Sequence, residues 1–217
     1  YARMGQSVSD WQKELHQALK IANGHLSLYQ LTIEPGTPFY GQLHSGKIII
    51  PNEDTSAEMY DLTNQICESA GYEIYEISNY ALENQECRHN LAIWRGGDYV
   101  GIGPGAHGRL SGSAATDALY QIHDPARWLE RVDKDGHATA KRHTLSAASR
   151  AEELLLTGLR LSQGIDGERF SRVRAIIDEN ALQRLIEAEF LICDENGLCT
   201  TQKGRLCLNA VLAELLA

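Results

Sequence analysis

The chain has 217 residues, of which 43% are apolar and 23% charged, so it is long enough for one large domain or two modest ones around an ordinary core. Its 20 Lys and Arg against 29 Asp and Glu give a net charge of -9, with 7 basic and 14 acidic residues up to residue 120 and 13 and 15 after it. Neither half has the basic excess of a polyanion binder, so we expect a folded protein that does not bind nucleic acid.

The sequence also argues against a membrane span and against disulfides. No stretch approaches the roughly 20 apolar residues of a membrane helix, and the first residues do not resemble a signal peptide. The five cysteines are odd in number and scattered, which predicts reduced thiols packed as small side chains. No CxxC pair or close group of three cysteines is present to hold an iron–sulfur cluster. We expect a cytoplasmic protein and, because the chain opens on Tyr1 without a starting Met, a fragment.

In the first half, predicted helices and strands alternate. Apolar residues at helical spacing predict helices over 8–22 and 55–70, and runs of strand-forming residues predict strands over 25–33 and 72–77. A third, short strand is predicted over 99–103. Helix, strand, loop, helix and strand in this order are typical of βα units with a parallel sheet.

The second half is predicted to be mainly helical, after a boundary in the small-residue stretch 112–124. Helices are predicted over 124–134, 146–161, 166–175, 181–190 and 203–216. Before the last helix, 191–193 and 198–200 are predicted to form a hairpin around Asn196-Gly197. This order is winged-helix-like, but 6 Lys and Arg against 9 Asp and Glu from residue 163 onward disfavour DNA binding.

Candidate functional residues concentrate between residues 72 and 109, after predicted strands, which is where ligands bind in α/β folds. His89 is a candidate ligand of a metal or of haem iron, or a proton carrier, and Trp94 is suited to stacking on a flat ring. The alternative is structural: His89 and Asn90 cap a turn and Trp94 lies in the core.

Three further groups allow two interpretations each. The carboxylates and hydroxyls after the first two strands are suited to holding a ribose or an amine, or to capping helices (Glu34, Thr37, Glu76, Ser78 and Asn79). The glycine run allows close approach to a ligand, or a tight crossover in the sheet (Gly101, Gly103, Gly105 and Gly108). The isolated histidines are interpreted as surface residues (His44, His123, His137 and His143).

Five segments in the same order resemble the radical SAM family of oxygen-independent coproporphyrinogen III oxidase-like proteins, and within it the HemW branch of haem chaperones. These segments cover residues 1–7, 25–37, 75–81, 89–94 and 101–108. The tail 200–206 is similar to that family's C-terminal domain. The resemblance implies an α/β fold: the C-terminal part of a partial (β/α)6 radical SAM barrel over 1–115, then a mainly helical, winged-helix-like domain over 116–217.

The resemblance also implies cofactors. In the family a CxxxCxxC loop holds a [4Fe-4S] cluster that binds and reductively cleaves S-adenosylmethionine, and that loop is expected before residue 1. Thr32 corresponds to a strand position that touches the nucleoside of S-adenosylmethionine, and His107 to a position near a second ligand site.

His89, Asn90 and Trp94 match the HNxxYW signature associated with haem binding in the chaperone branch. The resemblance implies that His89 contacts the iron, that Asn90 orients the loop and that Trp94 packs against the porphyrin. This sequence has Ile93 where the signature has Tyr. The resemblance therefore implies the loss of a phenol that would supply a hydrogen bond or an axial contact to the haem.

Three hypotheses follow for function. The first is the C-terminal portion of a HemW-like protein that binds haem or a porphyrin and delivers haem to an acceptor protein. The second is an oxygen-independent coproporphyrinogen III oxidase, which would make the complete protein a radical SAM enzyme. The third is a helical interaction module without catalysis. The His89-Asn90 pair favours the first.

Overall fold

The computed structural model describes residues 1–113 and 115–217 and separates the chain into two compact units, Tyr1–Cys87 and Arg88–Ala217. This division precedes the boundary predicted at 115/116. The predicted boundary separates the domains of the family, whereas the observed division separates compact units. The boundary at 115/116 therefore stays a prediction.

The first unit combines helices with one three-stranded sheet. Its elements are α1 (Val8–Ile21), β1 (His25–Ser27), α2 (Pro38–His44), α3 (Glu53–Ser69), β2 (Glu73–Glu76) and β3 (Asn79–Ala81). The strand order is β1-β3-β2 and both pairings are antiparallel. The expected parallel pairing is therefore wrong for the described strands, because a two-residue connection from β2 to β3 permits only an antiparallel hairpin.

Caps and apolar spacing place α1 and α3 close to the predicted helices. The Ser7 side chain accepts a hydrogen bond from the Asp10 N–H while the Asp10 carboxylate accepts from the Ser7 N–H, which forms a capping box before α1. Asn52 caps α3 by accepting from the Thr55 N–H at 2.9 Å. Both helices are confirmed, with ends within two residues of the predicted ones.

The core of the first unit lies between α1, α3 and the sheet. Its buried members are Ala2, Trp11, Leu15, Met59, Cys67, Tyr72 and Tyr80. The Trp11 indole N–H donates to Thr63 Oγ1 at 2.8 Å, and that hydroxyl donates to the Met59 carbonyl at 2.6 Å. Apolar burial and satisfied polar groups together hold α1 on α3.

The strand predicted over 25–33 is shorter than expected. Only His25–Ser27 pairs with β3. After Ser27 the backbone forms hydrogen bonds with two different segments of the chain. The Leu28 N–H donates to the Ser78 carbonyl, and the Leu31 N–H donates to the Tyr1 carbonyl. Thr32 therefore lies in an irregular segment, not in a described strand.

The second unit combines helices with two three-stranded antiparallel sheets in the part of the chain that the structure describes, ordered β4-β5-β6 and β7-β9-β8. Its elements are α4 (Arg88–Trp94), β4 (His107–Ser111), β5 (Thr116–Gln121), α5 (Pro125–Asp135), β6 (Thr139–Thr144), α6 (Ala147–Gly158), β7 (Ile165–Asp166), α7 (Gly167–Val173), α8 (Glu179–Glu187), β8 (Leu191–Asp194), β9 (Gly197–Thr200), α9 (Gln202–Leu206) and α10 (Leu208–Leu215). A 3₁₀ turn, Arg174–Ile176, follows α7.

The sheet β4-β5-β6 corrects two predictions. The strand predicted over 99–103 is wrong, since Tyr99 makes only an isolated bridge to Arg109. Gly101 permits a crossover there, because a Cβ on it would lie 2.1 Å from the His107 carbonyl oxygen. The sequence also predicted no strand between residues 112 and 145, whereas the segments Thr116–Gln121 and Thr139–Thr144 pair with each other there.

The C-terminal elements follow the predicted order. The helices α5, α6 and α8 and the β8–β9 hairpin are confirmed, with Gly197 in the hairpin at φ 131°. The final helix predicted over 203–216 divides into α9 and α10 at Cys207, whose φ of -125° and ψ of 35° leave the helical region. On α6, Leu155 is fully buried and Leu154 is half-buried.

Candidate functional site

The helix α4 carries the residues of the predicted haem signature. His89 is its second residue and its side chain is exposed. Among the described residues, no hydrogen bond, ion pair or ring contact engages the His89 ring. An exposed imidazole that no described residue engages is suited to coordinating an iron that arrives from outside.

Trp94, the last residue of α4, serves packing. It is half-buried, and the Arg160 guanidinium lies 4.6 Å from the centroid of its ring. Its indole nitrogen is buried and has no hydrogen-bond partner among the described residues. Trp94 follows His89 by five positions, so the two residues lie roughly 140° apart around the helix axis and do not share a face. The predicted contact of Trp94 with a porphyrin stays a prediction.

The remaining signature positions divide between the two faces of α4. Ile93 is half-buried and lies one turn after His89, on the same side of the helix. Asn90 is half-buried and lies one turn before Trp94. The position where the signature has Tyr is therefore a neighbour of the candidate iron ligand.

His107 lies at the start of β4 in a short aromatic row. Its ring centroid is 4.5 Å from that of Tyr120, its partner on β5, and Tyr120 stacks on His143 of β6 at 5.6 Å. His107 and His143 are exposed. Tyr120 was not among the residues predicted from sequence, because Thr116–Gln121 shows neither an apolar run nor strict alternation.

A carboxylate of α6 pairs with one arginine of this sheet and with one arginine of its own helix. Glu153 of α6 accepts from Arg109 of β4 at 2.7 Å and from Arg150 at 3.2 Å. Burial would raise the pKa of Glu153, but the hydrogen bonds and charges of the two guanidinium groups outweigh it and lower the pKa. Sequence reasoning missed this bridge because its members lie on different elements.

In the first unit, the polar residues after β2 form a buried network. Glu76 is fully buried, and its carboxylate accepts from the Ser78 N–H at 2.9 Å and from the side-chain amide of Asn79. The Ser27 hydroxyl donates to Asn79 Oδ1 at 2.5 Å, which ties β1 to β3. The structure thus joins Glu76, Ser78 and Asn79 through hydrogen bonds to one carboxylate.

The residues after the first predicted strand behave differently. Thr37 caps α2, since its hydroxyl accepts from the Tyr40 N–H at 3.3 Å and donates to the Glu34 carbonyl at 2.7 Å. For Thr37 the structure therefore agrees with the interpretation that it caps a helix. Thr32 is exposed, and its hydroxyl reaches only the Gln30 carbonyl at 3.4 Å. Its predicted contact with S-adenosylmethionine stays a prediction.

The described residues do not fit an iron–sulfur cluster. Within residues 1–113 and 115–217, no three His, Cys, Asp or Glu side chains are grouped so as to hold a metal ion. Burial raises the pKa of the Cys67 thiol to about 12 and also raises the pKa values of Cys193 and Cys199, which disfavours thiolates. No described helix combines the length and hydropathy that a membrane span requires.

Residues 145–207 match the family model of the HemN C-terminal domain. The chain is 37% identical over 227 residues to the radical S-adenosyl methionine domain-containing protein 1, mitochondrial, of Danio rerio, covering all of this chain and 51% of that protein. It is 29% identical over 216 residues to the heme chaperone HemW of Bacillus subtilis (strain 168), covering 98% of this chain and 56% of the relative. The chain thus spans about half the length of the curated relatives it matches.

A solved structure titled as the coproporphyrinogen III oxidase (HemN) from Escherichia coli, a radical SAM enzyme, superposes with a TM-score of 0.74 and 17% identity. The match covers all of this chain and 53% of that chain. At this identity the likeness shows the fold alone, and it confirms the predicted α/β fold class of a partial radical SAM barrel and a mainly helical, winged-helix-like domain. The sequence matches identify the chain as a member of the HemW-type radical SAM family.

Proposed function

We propose that this chain provides the haem-binding surface of a HemW-like haem chaperone, which passes haem to an acceptor protein. The observation that carries the proposal is the exposed ring of His89 on α4, whose nitrogens no described residue engages. The name of the Bacillus subtilis relative supports the same role. Haem is then the cargo of the protein, and not a resident cofactor.

The surroundings of His89 suit reversible binding. An exposed imidazole need not lose a protein partner before its nitrogen coordinates iron, and an acceptor can approach the same open surface. The helix is nevertheless held at its end, because the Arg160 guanidinium stacks on Trp94 and Arg150 bonds the carbonyl of Gly96. His89 therefore projects from an anchored helix and keeps a defined position.

The test is a titration of the 217-residue chain with hemin, followed by its Soret band. We expect a shift of the band in the parent protein and at least tenfold weaker binding in His89→Ala, since the iron loses its axial ligand. The matched control is His16→Ala, another exposed histidine on a helix. Equal spectra for the parent and His89→Ala would remove His89 from the proposal.

A second pair of variants tests the departure from the signature. Because Ile93 lies beside His89, Ile93→Tyr returns a phenol to the haem surface, and one hydrogen bond corresponds to roughly twofold to tenfold tighter hemin binding. Ile93→Phe is the control, since it adds the ring without the hydroxyl. Tighter binding in both variants, or in neither, would show that the phenol oxygen has no part in the site.

A second candidate is an oxygen-independent coproporphyrinogen III oxidase, because the solved structure with the TM-score of 0.74 is titled a coproporphyrinogen III oxidase. An assay of the complete protein for protoporphyrinogen separates the two. Product formed at catalytic turnover would replace the chaperone proposal. The predicted cytoplasmic location stays a prediction, since the name of the Danio rerio relative includes a mitochondrial location.

A further inference from the structure

A second candidate site lies within the second unit, away from the residues of the haem signature. It is a cavity of about 370 Å³ between the end of α4, the sheet β4-β5-β6 and the helices α6 and α7. The charged residues that line it, within the described part of the chain, are all arginines: Arg95, Arg150, Arg169 and Arg172. In a chain with a net charge of -9, a cavity lined by one sign of charge favours a ligand of the opposite sign.

Two of these arginines are held in place. Arg150 donates to Glu153 at 3.2 Å and to the Gly96 carbonyl, and Arg169 donates to Asp166 at 2.8 Å and to the Arg95 carbonyl at 3.1 Å. Their side chains are only 19% and 20% exposed. Because a guanidinium has five N–H groups, each keeps donors beyond those that anchor it. The anchored arginines form a preorganised wall.

The other two arginines are able to turn toward a ligand. Arg95 is exposed and makes no ion pair among the described residues, only a 3.4 Å contact with the Gln163 amide oxygen. Arg172 pairs with Glu168 across one turn of α7, and both side chains are largely exposed. Exposed pairs of this kind are weak and exchange partners readily.

The lining also includes neutral donors. The hydroxyls of Ser111 and Thr116 lie 3.0 Å apart at the edge of the sheet. The carboxylates of Glu153, Asp166 and Glu168 hold guanidinium groups but do not line the cavity. Asp98 is a further acidic group nearby, since it accepts from the Ser111 N–H at 2.7 Å.

We propose that this cavity binds a small anion that carries two or more carboxylate or phosphate groups. A guanidinium group pairs with a carboxylate or a phosphate through two parallel hydrogen bonds. Four guanidinium groups around one cavity are more than one carboxylate or phosphate needs, which favours a ligand with at least two of them. Two sources share this chemistry: the propionate groups of a tetrapyrrole, or a free soluble anion. The inference itself does not depend on the role of His89.

The test uses the 217-residue chain and inorganic pyrophosphate, titrated calorimetrically at constant ionic strength. We expect binding by the parent and roughly tenfold weaker binding by Arg95→Gln and by Arg172→Gln, since each removes a charge-assisted hydrogen bond. Arg131→Gln is the matched control, because Arg131 pairs with Asp135 across one turn of α5 and does not line the cavity. Absence of pyrophosphate binding, or equal binding by the parent and both lining variants, would overturn the proposal.

A second titration identifies the source of the anion. Hemin and hemin dimethyl ester are compared on the parent and on Arg95→Gln. A preference for the free acid that Arg95→Gln removes assigns the cavity to the propionates, whereas equal binding of acid and ester assigns it to a soluble anion. His89→Ala is expected to leave pyrophosphate binding unchanged, so failure of the haem proposal and failure of this one are distinguishable.

Discussion

Each of the two units contains a carboxylate that is at least partly buried, and the two carboxylates receive their hydrogen bonds from different parts of the chain. In the first unit, the fully buried Glu76 bonds to Ser78 and Asn79, which lie within three residues of it. In the second unit, Glu153, with a side chain 27% exposed, bonds to Arg109, which lies 44 residues away on another element. The hydrogen bonds to Glu76 connect residues at the turn between β2 and β3. The ion pair between Glu153 and Arg109 connects α6 to β4.

This difference separates two sources of stability. A fully buried carboxylate depends on every hydrogen bond it receives, because an unsatisfied group in the interior loses its hydration without replacement. A partly exposed carboxylate between two arginines depends on its charge, and therefore on pH. Three substitutions test this comparison, in order of decreasing expected effect.

The largest effect is expected from Asn79→Ala. The substitution removes a donor from Glu76 and the acceptor of the Ser27 hydroxyl, so we expect the free energy of unfolding to fall by about 2–3 kcal/mol in urea denaturation. Ser27→Ala is the control, because Ser27 is exposed and its loss costs only about 0.5–1 kcal/mol. Equal losses in the two variants would mean that Glu76 does not depend on Asn79.

A smaller effect is expected from Thr63→Val. The Trp11 indole N–H loses its acceptor inside the first core, at a cost of about 1–2 kcal/mol in the same measurement, and the loss should not vary with pH because both groups are uncharged. Thr200→Val is the control, since the buried Thr200 hydroxyl has no partner among the described residues and its removal should cost nothing. A larger loss in Thr200→Val than in Thr63→Val would contradict this account.

The smallest effect at neutral pH is expected from Glu153→Gln, about 1 kcal/mol after solvent screening. Because folding lowers the pKa of Glu153, its contribution is complete above the unfolded value near 4.5 and is lost as the pH falls through the folded pKa. The parent and the variant should therefore converge in stability in acid. Glu179→Gln, which removes an exposed partner of Arg174, should change stability less at every pH. A difference that grows in acid would contradict the assigned sign.

Much of the fold followed from local patterns. The helices α1 and α3 were predicted within two residues of their ends, and the β8–β9 hairpin was predicted from Asn196-Gly197. The strands β5 and β6 were missed because both are rich in polar residues and β6 is largely exposed, so neither shows the apolar run of a buried strand. The parallel sheet was predicted wrongly because element order does not determine which strands become neighbours.

The candidate site followed from sequence only in part. The resemblance identified His89, Asn90 and Trp94, and the structure places His89 at the surface and packs Trp94 under Arg160. A one-dimensional motif does not reveal that these two residues point to different sides of α4. Nor does it reveal that Ile93, where the signature has Tyr, is the neighbour of His89.

The amino-acid sequence alone determined most of the longer helices, the hairpin and the family, because caps, turns and motifs act between residues close along the chain. Only the tertiary structure decided the antiparallel pairing of the described strands, the buried network around Glu76 and the meeting of four arginines drawn from residues 95 to 172. Such contacts join distant segments, and their geometry is set by how the elements pack, which no local pattern encodes.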